Sequence, residues 1–418
     1  MTYIHIYNGT LIDGTGKDPI PNTNILIEDD RILEIGTTLN QATIHANESD
    51  IVRVDAQGGY ILPGLIDTHV HMMFEFSPLQ DRVSTPFSTN FYKAIGYMRK
   101  TLDAGITTVR DAGGTDYGVK HAIETGLIDG PRMQISISVL GITGGHTDNW
   151  NPSGVDTPLF PAYPGNPNGI CDGVEEVRKK VREVLRAGAE VIKVCSTGGV
   201  LSPTDHPEFT QFTEEELRVM VQEGEFRRGI KVMAHAQGAE GIKNAVRAGI
   251  HSIEHGIYLD DEAIDLMLEK GTFLVPTLLA PIAVVEFAET VGGMPEYGLR
   301  KAKESLEAHR DSIAKAYQAG VKISMGTDAG VMPHGTNLRE LELMCMIGMS
   351  PMESIVATTK TASECLGWQD QIGTLEAGKL ADVIILDTNP LADISTLKNV
   401  NHVNYVLKGG KVMKDTRA

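Results

Sequence analysis

The run Gly64-Leu65-Ile66-Asp67-Thr68-His69-Val70-His71 sets two histidines one residue apart behind an apolar lead-in. In an extended strand the period of two puts both imidazoles on one face. Imidazole is the commonest metal ligand among side chains, so such a pair at a strand end can grip one ion from two sides. Pro63 and Gly64 mark the turn into the run. Four further polar residues close short apolar runs elsewhere: Lys193 in Ile192-Lys193-Val194, His235 after Met233-Ala234, His255 after Ile253-Glu254, and Asp328 in Gly326-Thr327-Asp328. Each has an ordinary explanation on its own: a hydrogen-bonded core histidine, a turn or cap aspartate, a lysine reaching for solvent. Their recurrence at five strand ends does not. Lys193 is the odd member, because an ammonium only donates and is repelled by cations. Among metals it needs a depressed pKa or conversion into an anion.

The elements that must position these groups read as alternating strands and helices. Eight strands are expected at 65–71, 106–111, 133–140, 191–194, 231–235, 252–255, 272–275 and 322–325. Helices 174–187 and 214–227 are amphipathic, and Thr213 with Glu215 and Glu216 reads as a helix start. Gly188, Gly249, Gly271 and Gly320 stand where helix C-terminal caps belong. Such alternation predicts a parallel sheet, and eight units fit an α/β (β/α)8 TIM barrel, which takes about 250 residues. Catalytic residues in that fold sit at the C-terminal ends of the strands, which selects the six polar residues above. The first sixty residues are short strands, at 4–7, 10–12, 25–27, 31–35 and 51–55, separated by Asn-Gly, Gly-Thr-Gly and Asp-Asp turn signals. The C-terminal segment adds 383–386, 403–407 and 411–413. Neither terminus holds a core alone, so residues 1–60 and 370–418 are expected to form one small β-sandwich beside a barrel spanning 61–369.

These motifs, with Gly373-Thr374-Leu375-Glu376-Ala377-Gly378-Lys379-Leu380-Ala381-Asp382, resemble the metal-dependent amidohydrolase superfamily over almost the whole chain. The resemblance implies two divalent metal ions, with zinc the first choice for nitrogen and oxygen ligands, and a Lys193 carboxylated by carbon dioxide that bridges them. It implies His69, His71 and Asp328 on the more buried ion and His235 and His255 on the other. Asp328 would also carry the proton from the attacking water, held between the metals as hydroxide, to the leaving amine. Gly144-Gly145-His146, Lys193-Val194-Cys195-Ser196-Thr197-Gly198-Gly199 and Ser252-Ile253-Glu254-His255-Gly256 followed by Leu259-Asp260-Asp261-Glu262 are similar to the Xaa-Pro dipeptidase and Xaa-Arg/Lys carboxypeptidase branch, and to ochratoxin-hydrolysing amidases. That branch implies cleavage of a dipeptide or N-acyl amino acid, with His146 orienting the substrate. Gln237 stands where relatives often carry an aromatic residue or histidine. Tyr258 and His334 are further candidates for substrate contact, and the loop 147–173, with Trp150 and Tyr163, for a lid.

The rival reading within the superfamily is a one-metal deaminase or an imidazolone-type ring hydrolase, which lacks the lysine; the non-enzymatic one is a scaffold that has lost its ligands. The chain has 418 residues, 41% hydrophobic and 22% charged, with a net charge of −18. Such acidity argues against nucleic-acid binding. The start of the chain shows no signal-peptide pattern, and no apolar run approaches a membrane span. Cys171, Cys195, Cys345 and Cys365 are scattered without a C-x-x-C and read as free thiols in a reducing compartment, so the expectation is a cytoplasmic enzyme with a small-molecule substrate. Homo-oligomers, common in the family, are implied as well.

Overall fold

In the computed structural model, residues 2–40, 51–151 and 153–417 are described. Two bodies of β-structure are built from strands in chain order. Both termini contribute to the first: β1 (Tyr3–Leu11), β2 (Ile20–Glu28), β3 (Arg31–Gly36), β4 (Ile51–Asp55) and β5 (Tyr60–Pro63) join β14 (Val383–Leu386), β15 (Val403–Lys408) and β16 (Lys411–Asp415). Between them run β6 (Leu65–Val70), β7 (Ile106–Asp111), β8 (Arg132–Ile135), β9 (Val139–Leu140), β10 (Val191–Cys195), β11 (Lys231–Ala236), β12 (Ser252–His255) and β13 (Phe273–Val275).

The termini do pair, but hydrogen bonds join their strands into one eight-stranded sheet rather than two separate ones. The hinge is β1. Asn8-Gly9, expected as a turn, is a bulge inside one strand: Asn8 has φ of 60° and the pairing register with β2 shifts there. The first half of β1 then pairs β4 and its end pairs β5. Strand periodicity divides the apolar residues of the C-terminal strands between two cores. Val383, Ile385, Tyr405 and Leu407 pack with Ile4, Ile6, Ile25 and Ile27, whereas Ile384, Leu386 and Val406 join the large core of the strand–helix body. The sheet is thereby fastened to the rest of the chain.

The strand–helix body holds parallel strands in two groups, β6-β7-β8 and β13-β12-β11-β10-β9. Two expected strands differ. The run 133–140 is broken: β8 pairs β7 and β9 pairs β10, with Ile137 between them at φ of 68°. A β-branched residue in that region is strained, so the chain cannot continue as regular strand. The run 322–325 makes only an isolated bridge, Ile323 to Leu274. Even so, residues 322–329 bond on both flanks, Ser324 N–H to the Leu274 carbonyl at 2.9 Å on one side and Thr68 N–H to the Met325 carbonyl at 3.0 Å on the other. Past Gly326 the chain keeps close to β6 through Asp328 N–H to the His69 carbonyl at 2.8 Å.

The helices follow their capping signals. Thr213 and Glu216 form a reciprocal capping box for helix Glu214–Glu225. Gly249, Gly271 and Gly320 end their helices in the left-handed region. Inward and outward faces of the central strands follow the period of two. Ile192, Val194, Val232 and Ala234 pack outward into the large core, while Val191 and Met233 close with Ala112 on the inner face. Lys193 and His235, two residues further along each strand, therefore point inward.

Gly326 leaves no room for a side chain beside the ligands. A Cβ there would stand 2.4 Å from Val275 Cγ1 and 2.9 Å from His69 Cβ. Gly326→Ala should destabilise the fold by about 1–3 kcal/mol and, by displacing His69, weaken metal retention. Urea unfolding and metal content measured on one preparation check both. An Ala variant of wild-type stability would remove the steric account.

Candidate metal centre

Four strands, β6, β10, β11 and β12, and the loop that carries Asp328 deliver the sequence-selected ligands to a single place. His69, His255 and Asp328 offer ligand atoms that all lie within 4.8 Å of one another. Asp328 Oδ1 stands 3.2 Å from His71 Nε2 and 3.5 Å from His69 Nε2, and Lys193 Nζ is 3.5 Å from His69 Nε2. The imidazole of His235 is 4.6 Å from that of His255 between ring centres. All six residues are buried.

The outer nitrogens fix which atoms face inward. His69 Nδ1 donates to Glu254 Oε2 at 2.7 Å, and His71 Nδ1 to the Gly113 carbonyl at 2.9 Å. His255 Nδ1 is bonded to Thr277 Oγ1 at 2.7 Å. The Nε2 atoms of His69 and His71 are therefore left as lone pairs aimed at the centre, and that of His255 is one when the Thr277 hydroxyl accepts. Asp328 Oδ1, also buried, has no hydrogen-bond donor. Lone pairs that face one another repel, and a cation among them removes the repulsion. The donor set is nitrogen and oxygen, which suits zinc and its first-row neighbours. His235 differs, because its Nε2 is bonded to the Gly198 carbonyl at 3.0 Å, leaving Nδ1 as its free ring nitrogen.

Electrostatics agree with a site built for cations. Burial pushes the pKa values of His69, His235 and His255 well down, and neighbouring positive groups push further; neutral imidazole is the ligand form. Burial likewise lowers the Lys193 amine. For Asp328 burial acts upward and the neighbouring Lys193 acts downward.

Behind the ligands stand residues that strand-end reasoning passed over. Glu254 Oε1 accepts from Arg110 Nη2 at 2.9 Å and from Ser252 Oγ at 2.6 Å, and Arg110 Nε donates to the Thr68 carbonyl at 2.7 Å. Arg110 is 1% exposed and Glu254 0%. Asp67 accepts from the backbone N–H of His69 and Thr327 and from the side chains of Thr327 and Asn337. Asp111 accepts from Met72 N–H and Gly113 N–H, which orients the carbonyl that serves His71. A signal for Arg110 and Glu254 was present: charged residues inside short apolar strands, each on the strand's inner face. Two ligands also sit on strained backbone, His255 at φ of 75° and Asp328 at φ of 63°.

The centre forms the floor of a cavity of about 820 Å³, counting its open mouth. Its walls are largely apolar, from Phe74, Leu159, Phe160, Val200, Ile257 and Val284 among others. The loop 147–173 supplies Thr147, Leu159 and Phe160, with the Phe160 ring stacked on His71 at 5.0 Å; Trp150 is exposed and Tyr163 packs on Phe87. His146 and Gln237 line the cavity. His146 Nδ1 bonds Ser202 Oγ at 2.8 Å, Ser202 bonds Asp205, and the His146 ring stacks on His235 at 4.4 Å. Tyr258 and His334 are not brought to the cavity wall. His334 is stacked on Tyr97 at 4.7 Å with Nε2 bonded to the Phe74 carbonyl, and Tyr258 uses its backbone N–H to bond the Gln237 carbonyl.

Comparison with known proteins agrees with this geometry. The sequence model of the amidohydrolase family matches residues 60–413. An ochratoxinase from Aspergillus niger is 38% identical over 427 residues, covering 98% of this chain and 86% of that protein. A crystal structure of a Xaa-Pro dipeptidase with methionine bound in the active site superimposes with a TM-score of 0.88 at 36% identity, covering 98% of this chain and 99% of that one. A prolidase complexed with N-methylphosphonate-L-proline does so at 0.90 and 32%, covering 99% and 100%. With its strand–helix body, its terminal β-sheet and its cluster of inward lone pairs, the chain belongs to the amidohydrolase family and is a hydrolase of C–N bonds.

Proposed function

We propose that the protein cleaves the amide bond of a dipeptide or N-acyl amino acid at a centre for two divalent metal ions, zinc by preference. The observation that carries this reading is the convergence of neutral imidazole lone pairs, the bare Asp328 oxygen and the Lys193 amine on the floor of one apolar cavity. His69, His71 and Asp328 would hold one ion and His235 and His255 the other, with Lys193 between. Bound there, divalent metals supply Lewis-acid polarisation of a carbonyl oxygen and acidify water.

Lys193 is suited to become the bridging anion. Its amine is buried and its pKa is lowered by burial, which raises the share of the neutral amine that carbon dioxide needs. A C–N bond forms, a proton is released, and the resulting carbamate is anionic. Asp328, held ionised, is the group to take a proton from the attacking water and return it to the leaving nitrogen. His146, fixed by Ser202 and stacked on His235, would orient the substrate.

The cavity also narrows the substrate. Among the described residues Asp328 is the one carboxylate lining it, and none of the others offers an acidic group to a lysine or arginine side chain. Apolar substrate side chains fit the walls better, which favours the dipeptidase side of the branch. The bonding of residues 322–329 to both neighbours supports a closed eight-unit barrel. Four free cysteines, three of them buried, support a reducing, cytoplasmic setting.

Two substitutions test the centre. Lys193→Ala should lose bound metal and lower kcat/KM by about 100-fold or more, with short carboxylic acids restoring part of each. Retention of both ions and full turnover in that variant would end the bridging role. Asp328→Asn should keep most of the metal, read by elemental analysis, while kcat falls about 10²–10⁴-fold. A panel of dipeptides and N-acyl amino acids decides the reaction, and release of ammonia from ring amines without amide cleavage would replace this reading with a deaminase.

A further inference from the structure

Three cavity-lining residues that are not metal ligands each carry a buried side-chain atom without a hydrogen-bond partner among the described residues: Thr147 Oγ1, Gln237 Oε1 and His309 Nδ1. A hydroxyl or a side-chain amide can meet either a donor or an acceptor, so the first two are undemanding. His309 is more specific. It enters the cavity from helix Glu296–Ala319 and is 2% exposed. Its Nε2 lies 2.9 Å from the His255 carbonyl and 2.8 Å from the Pro276 carbonyl. Carbonyls only accept, so Nε2 carries the hydrogen. With the hydrogen on Nε2, Nδ1 is the acceptor of the ring, and it has no partner among the described residues.

A buried acceptor without a donor is costly, and the wall around this one is apolar, with Ile257, Ala280, Pro281 and Val284 lining the same cavity. No donor from the described residues reaches it. The missing donor must come from what enters the cavity. A carboxylate or ether oxygen brought there would set lone pair against lone pair; an N–H group would complete the bond.

We propose that His309 Nδ1 is a substrate-binding acceptor that selects compounds presenting an N–H donor. The proposal rests on the amide-hydrolase reading of the same cavity and deepens it. Two parts of a dipeptide carry such a donor: the free α-amino group and the scissile amide N–H. Leucyl-alanine has both, leucyl-proline has only the amino group, and isocaproyl-alanine has only the amide N–H.

The test is His309→Gln with these three compounds on metal-loaded enzyme. The glutamine amide nitrogen can take over the bonds to the His255 and Pro276 carbonyls, while the Nδ1 acceptor is lost. If His309 reads the amino group, kcat/KM should fall about tenfold or more further for leucyl-alanine and leucyl-proline than for isocaproyl-alanine. If it reads the amide N–H, leucyl-alanine and isocaproyl-alanine should fall by that factor more than leucyl-proline. Equal losses on all three, or none, would overturn the proposal. Ratios between substrates in one preparation do not depend on how much of the variant folds. Should the variant not fold at all, binding of the three compounds to the wild-type enzyme gives a second measure. There, removing the donor that is read should weaken affinity about tenfold, and equal affinities would overturn the assignment. Calorimetry also separates the two ideas. Donor-dependent binding that His309→Gln abolishes, with no cleavage of any compound, would keep His309 as the acceptor and remove the hydrolase reading.

Discussion

Lone pair facing lone pair is the constraint on which the rest of this structure depends. The Nε2 atoms of His69, His71 and His255 and the Oδ1 of Asp328 are turned toward one another because their outer nitrogens are engaged by Glu254, Gly113 and Thr277. In a buried place such an arrangement repels itself until a cation arrives. The surrounding shell exists to hold it regardless. Glu254 fixes the ring of His69, and Arg110 stabilises the Glu254 charge in return. A buried ion pair of this kind contributes little net stability after desolvation. Its value lies in ring orientation and in raising ligand basicity.

The backbone is bent to the same end. His255 and Asp328 occupy the left-handed region, which costs about 1–3 kcal/mol for each such residue. Neighbouring bonds over-determine both: His309 clasps the His255 carbonyl, and the Asp328 N–H is tied to His69. The twist at His255 matters geometrically. Ser252 and Glu254 share one strand face by periodicity, so His255 would point the other way in a regular strand. Its positive φ turns the imidazole toward the centre beside Glu254. His309 thus has one nitrogen holding strained backbone, while the other has no partner among the described residues.

Much of this was legible in the chain because strand periodicity and strand-end position are local properties. His69, His71, His235, His255 and Asp328 stand at or just past the ends of apolar runs and Lys193 stands inside one, and all meet in space. Glycines after helices marked where strands resume. Arg110 and Glu254 were visible as charges in apolar strands but carried no role, since their meaning lies in pairing across 144 positions. His309 gave no signal, being one histidine on a long amphipathic helix. His334, read as near the site because it follows strand eight, turns away to Phe74 and Tyr97. Asn8-Gly9 shows the limit of turn signals: the same dipeptide that ends a strand can also bulge it.

What the sequence determined by itself is the inventory of ligands, their places at strand ends and the alternation that carries them, because side-chain chemistry and a period of two are written residue by residue. The tertiary structure alone decided which nitrogen of each histidine faces inward, since that depends on carbonyls and carboxylates brought from distant strands. It also decided that two ligands are held on strained backbone, that both termini share one sheet through a bulge in β1, and that a helix near residue 309 supplies the cavity with an acceptor. Each of these arises from contacts between segments remote in the chain, where no local pattern records the partner.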